Sequence, residues 1–96
     1  MHGFILFVTY TMKHGTREEF LREVKECGVL EEIRREKGCL GYDYYYPVDK
    51  SDELCILEKW EKEEDQIRHL DQPHMDKIKA LKSRYVLDTQ MEGIKC

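Results

Sequence analysis

The chain has 96 residues, enough for one domain with a thin core, and the whole length reads as a single unit. Charged residues make up 38% of it, signs are intermixed and the net charge is −4, which leaves no basic field to hold a nucleic-acid backbone. Ten per cent aromatic residues argue against a disordered chain.

Residues Gly3 to Met12 are β-branched and aromatic, with apolar side chains on both parities at first, the pattern of a central strand. The apolar run Phe4 to Val8 is too short for a secretion signal or a membrane span. Cys27, Cys39, Cys55 and Cys96 contain no C-x-x-C spacing, so free thiols in a cytoplasmic protein are expected. Lys13-His14-Gly15 turns the chain, and Thr16 followed by Glu19 reads as a capping box that starts a helix. Phe20, Val24 and Cys27 form its apolar stripe, and Gly28 breaks the phase before a second short helix that runs to Gly38. Its basic end, Arg34, Arg35 and Lys37, reads as a solvated face.

Cys39 to Val48 is a tyrosine-rich strand stopped by Pro47, and Leu54 to Trp60 returns as its hairpin partner. A helix follows over about Lys62 to Asp71. Another runs from Pro73, well suited to a first helical turn, to about Arg84, with Met75, Ile78 and Leu81 as its stripe. Tyr85 to Ile94 closes as the last strand. This order is the split βαβ arrangement of ferredoxin-like domains, βαββαβ in the α+β class. Right-handed crossovers place the helices on one face of a four-stranded antiparallel sheet in the order 4-1-3-2. Ile5, Phe7, Cys55 and Leu57 then project from the uncovered face, so a sheet-to-sheet homodimer is expected.

Chemistry concentrates between Leu54 and His74. Trp60 ends an apolar strand, as a core anchor or a wall on which a substrate stacks. Glu58 shares parity with Leu54, Ile56 and Trp60 and should point inward, where a salt bridge to an arginine is the plain account. His69 lies about 160° from Ile67 and about 100° from Leu70 on a regular helix, on the side of Gln66, so phase alone does not place it on the core. His69 and His74 are five apart across Pro73, which is not the spacing of a two-histidine metal face, and no metal is expected. Tyr42 should share a face with Leu40 and Tyr44 and offer its hydroxyl to a pocket, while His2 and His14 should be exposed.

Four stretches, KHGTREEF (Lys13 to Phe20), REKGCLGYDYY (Arg35 to Tyr45), LEKW (Leu57 to Trp60) and HLDQPHM (His69 to Met75), give the chain a wider likeness. It resembles the antibiotic biosynthesis monooxygenase domain family, also called dimeric α+β barrel proteins, over nearly its whole length. The resemblance implies a homodimer with a pocket between sheet and helices in each subunit. It also implies a cofactor-independent oxygenase that uses dioxygen on a small aromatic hydroquinone-like substrate; from charge and apolar-run length, neither nucleic acid nor membrane is expected as a partner. His69 and Trp60 would then be catalytic, with Tyr42, His74, Glu58 and Val8 around the substrate. Haem-degrading relatives resemble the chain at Trp60 and roughly at His69 but carry an asparagine on the first strand. The nearest position here is Val8, and Phe4 to Met12 holds no asparagine, so haem chemistry is a poorer match. The same scaffold also serves an isomerase of a small metabolite and non-catalytic ligand-binding dimers.

Overall fold

Alternation along β1 (Phe4–Met12) decides which face of the sheet is dry. In the computed structural model, which describes residues 3–96, Phe4, Leu6, Val8, Tyr10 and Met12 are buried, whereas Phe7 on the opposite face is 41% exposed. His2 lies outside the described residues. β1 pairs antiparallel with β3 (Glu53–Trp60), from Phe4 opposite Trp60 to Thr11 opposite Glu53, and on its other side with β4 (Val86–Lys95). β2 (Cys39–Tyr45) pairs with the outer side of β3, so the order is β2-β3-β1-β4, the expected arrangement with the tyrosine strand at an edge.

The helices α1 (Arg17–Glu26), α2 (Val29–Arg34), α3 (Glu63–Leu70) and α4 (Met75–Tyr85) complete a ferredoxin-like α+β domain. Ile5, Cys55 and Leu57 stay partly exposed beside Phe7 on the opposite face. Phe20 of α1 is the wedge of the core, meeting the rings of Tyr10 and Tyr85 edge-on at 6.0 Å and that of Tyr44 at 6.5 Å. The α1–α2 break falls at Gly28, whose φ of 76° is the left-handed conformation that glycine adopts without strain. The four cysteines are unbridged, and among the described residues no helix is long and apolar enough to cross a membrane.

Several local expectations are corrected. The capping box does not form: Thr16 has φ −106° and ψ −1° instead of the extended geometry a cap requires, and its hydroxyl donates to the Lys13 carbonyl at 2.7 Å. α2 ends at Arg34, about a turn before Gly38, leaving Glu36 in the turn that follows. Arg34 is not merely solvated. Its Nε and Nη2 donate to the Tyr42 carbonyl at 3.1 and 2.9 Å and strap α2 to β2. The register shifts between Cys39 and Gly41, which turns Leu40 out at 60% exposure, away from Tyr42. β2 also stops at Tyr45, before Val48. Pro73 precedes the fourth helix, with His74 at the N-cap and Met75 the first helical residue.

Candidate active site

Trp60 and Glu58, two apart on β3, project from the same face of the strand, and both are buried, at 0% and 5% exposure. The Trp60 indole N–H donates to Glu58 Oε1 at 3.0 Å, so the inward carboxyl is met by an indole and not by the arginine expected of a plain salt bridge. Burial raises the Glu58 carboxyl to about 7; the Trp60 hydrogen bond opposes that rise and the negative charge of Glu36 adds to it.

α3 packs over this end of the strand with its polarity inverted. Asp65, Gln66 and His69 face inward, whereas Ile67 and Leu70 are 54% and 49% exposed. Two contacts account for the inversion. Asp65 lies against Gly38, filling the space a side chain would need there, and its Oδ1 accepts from Arg68 at 2.9 Å. His69 meets a carboxylate that the sequence did not single out: its Nδ1 lies 3.1 and 2.8 Å from the two oxygens of Glu36. His74 approaches the same group, with Nε2 at 2.7 Å from Glu36 Oε2, and the Glu36 side chain is only 8% exposed. On its outer side His74 faces Glu32 at 3.8 Å, and Glu32 is held by Lys77 at 2.5 Å.

His69 is 1% exposed, with its ring centroid 5.0 Å from Trp60 and 5.7 Å from Tyr42. Burial lowers its pKa below the ordinary 6.5, opposed by the hydrogen bond and charge of Glu36, so the imidazole is neutral at pH 7. Burial keeps the Tyr42 and Tyr44 hydroxyls protonated far into the alkaline range. The Tyr44 hydroxyl is buried beside the Tyr42 hydroxyl, in a contact that falls short of full hydrogen-bond geometry.

The structure therefore brings together five of the six expected residues, Trp60, His69, Tyr42, His74 and Glu58. Val8 lies on the same sheet face opposite Ile56, at 4% exposure. His14 is exposed beside Asp52. Glu36 was hidden in a charged run. The available signal was indirect: two histidines near one proline require a counter-charge, and Arg35-Glu36-Lys37 contains a carboxylate just before a glycine turn. Among the described residues no set of three or more His, Cys, Asp or Glu side chains is arranged to hold a metal ion; the two imidazoles converge on a carboxylate instead.

A cavity of about 300 Å³ opens between α1, α2 and β2, with Leu21, Val24, Lys25, Arg34 and Tyr44 in its wall. Trp60, Tyr42 and His69 are close-packed beyond it, and Tyr44 links the two, its ring 6.1 Å from Tyr42.

An antiparallel ferredoxin-like sheet covered on one face, with a histidine buried against a tryptophan at the end of its third strand, defines a small α+β domain with a buried polar centre. The chain belongs to the antibiotic biosynthesis monooxygenase family, whose model matches residues 3–81. Membership supports a monooxygenase-type function. No curated protein matches the chain. Solved structures share its fold. A conserved protein from Methanosarcina mazei is 24% identical, with 98% of this chain and 92% of that one covered at a TM-score of 0.85. A Pseudomonas aeruginosa protein is 21% identical, with 100% and 95% covered at 0.84. An antibiotic biosynthesis monooxygenase is 16% identical, with 97% of each chain covered at 0.81. At these identities the likeness concerns the fold.

Proposed function

We propose that the protein is a cofactor-independent monooxygenase that oxidises a small aromatic hydroquinone-like substrate with dioxygen. The observation that carries the reading is a neutral His69, buried against Trp60 and hydrogen-bonded to Glu36. A phenol deprotonated in such a setting is electron-rich enough to reduce dioxygen directly, so the protein need only bind, orient and remove protons. His69 takes the phenolic proton. The ring then gives an electron to dioxygen, and a carbon–oxygen bond forms at an open ring position. The resulting hydroperoxide loses that carbon's hydrogen and breaks its O–O bond, leaving a carbonyl and one water. Hydroquinone plus dioxygen thus gives hydroxyquinone plus water. Trp60 forms the stacking wall, Tyr42 donates to a substrate oxygen, Glu58 exchanges a proton near neutrality, and His74 completes the surroundings. Entry is from the 300 Å³ cavity, with Tyr44 and Tyr42 swinging aside. The protein acts as a homodimer joined through the open sheet faces; Phe7 at 41% exposure, and Ile94 at 61% opposite Ile5, support that arrangement.

The test is oxygen uptake by purified, chelator-treated protein across a hydroquinone panel, with His69→Ala alongside. Turnover should fall at least about a hundredfold in the variant, the lower end of what a general base contributes. Equal uptake by both proteins for every compound would sink the reading. A second reading has its own support: with Arg34 paired to Asp43 at 3.3 Å in the cavity wall, Lys25 leaves the lining with a net positive charge that suits an acidic small metabolite, bound or isomerised without oxygen. Thermal stabilisation by acidic metabolites with no oxygen uptake would favour it.

A further inference from the structure

We infer that Glu36 is the positioning residue of this site: clamped by His74, it holds His69 in the tautomer with hydrogen on Nδ1 and so presents Nε2 as the proton-accepting atom. The inference rests on the reading of His69 as a base, and its test is built to stand apart from that reading.

Three separate segments must converge for this contact. Glu36 lies in the turn before β2, 33 residues from His69 on α3 and 38 from His74 ahead of α4. A carboxylate with 8% side-chain exposure stays ionised only if its oxygens are met by donors. His69 Nδ1 at 2.8 Å and His74 Nε2 at 2.7 Å both meet Oε2, and His69 Nδ1 also reaches Oε1 at 3.1 Å. An ionised carboxylate only accepts, so each of those ring nitrogens carries hydrogen. A neutral imidazole has one hydrogen to place. With it on Nδ1, the lone pair of His69 lies at Nε2, across the ring from Glu36; the rings of Trp60 and Tyr42 pack against the imidazole. When Nε2 accepts a proton, the imidazolium faces the Glu36 charge at 2.8 Å, which offsets the cost of a cation in a dry setting.

Other groups around His69 do not reproduce this. Glu58 has its Oε1 engaged by the Trp60 indole, and Asp65 on the same helix as His69 is turned to Arg68. Tyr42 is a protonated donor, and His74 spends its Nε2 on Glu36. Glu32 and Lys77 neutralise each other beyond His74. The carboxylate that both orients and charge-matches His69 is Glu36.

The experiment is long-range proton–nitrogen NMR of the histidine rings across a pH series, on the full chain and on Glu36→Gln, with steady-state oxygen uptake on both. In the parent protein His69 should carry hydrogen on Nδ1 at pH 7. In Glu36→Gln, whose amide can donate to that nitrogen or accept from it, a tautomer mixture should appear. The titration of His69 should move to lower pH, because the charge that favours its imidazolium is gone. kcat should fall about ten- to a hundredfold, part of the ~10²–10⁴ a positioned base supplies, with KM within about twofold. Glu36→Asp keeps the charge and should retain the Nδ1–H form; if Glu36→Gln does not fold, the parent's own spectrum carries the test. Hydrogen on Nε2 of His69 in the parent protein overturns the inference, as does a Glu36→Gln spectrum and titration identical to the parent's. If no compound is oxidised by either protein, the oxygenase reading fails, and the spectra still decide the role of Glu36.

Discussion

Glu58→Gln exposes the energetic cost of the buried carboxyl. Strand parity points Glu58 inward beside Ile56 and Trp60, and one indole N–H at 3.0 Å faces it. Its carboxyl titrates at about 7 in the folded chain against an ordinary 4.5, chiefly because burial disfavours the charge. Between those two values the folded chain holds a proton that the unfolded chain has released. Stability therefore falls as pH rises through that window and is level above it. At ~1.4 kcal/mol per pH unit the loss is about 3 kcal/mol. Gln keeps the shape and offers a carbonyl to the indole but does not titrate. The difference between variant and parent should start near zero at about pH 4 and reach about 3 kcal/mol in favour of the variant by about pH 8. His69, whose depressed pKa makes stability rise with pH up to the ordinary 6.5, acts in the opposite sense and cancels to first order in that difference. Urea denaturation of both proteins at three pH values measures it. A variant no more stable than the parent at pH 8 would refute the reasoning. A gain of the expected size would mark Glu58 as a residue whose charge serves chemistry at the expense of stability.

Gly38→Ala should lower the thermal midpoint by at least about 10 °C. The left-handed φ of 82° costs about 1 kcal/mol, and the new Cβ would sit 2.1 Å from Asp65 Oδ2 and displace the carboxylate. A midpoint within about 3 °C of the parent would count against that packing. Tyr44→Phe should raise unfolding stability by about 1 kcal/mol, because it removes a buried hydroxyl whose contact with Tyr42 falls short of a hydrogen bond; a loss of similar size in chemical denaturation would mean that the hydroxyl is satisfied. Phe7→Arg places a charge at the centre of the open sheet face. Sedimentation equilibrium should find a dimer for the parent and a monomer for the variant, and a monomeric parent at micromolar concentration would end the dimer proposal.

Strand order was legible because it follows from element order and crossover handedness, and the buried face of β1 because alternation is a local property. The site was legible only at its apolar and aromatic members. Trp60 announces itself by following an apolar run, and Glu58 by parity. His69 does not, since helical phase would turn Ile67 and Leu70 inward and leave it outside. The structure does the reverse. Contact with Glu36 and with the Gly38 turn outweighs the burial of two aliphatic side chains, and both contacts join residues far apart in sequence. Glu36 itself looks like any surface glutamate, because nothing within its own segment reveals that two imidazoles from the other half of the chain will reach it. Leu40 misled for a related reason: the register shift before Gly41 reverses the face that simple alternation assigns.

The pairing of β1 with β4 has a consequence for synthesis. Phe4 lies opposite Lys95, so the strand at the middle of the sheet gains its second neighbour only after Val86 to Lys95 has been made. Until then a growing chain carries an apolar strand with a free hydrogen-bonding edge, open to pairing with other nascent chains. Translation that stalls before Val86 would leave the histidines, Glu36 and Trp60 all present on a chain whose central strand is still exposed on one side. Such a product would accumulate as aggregate and not as a soluble fragment.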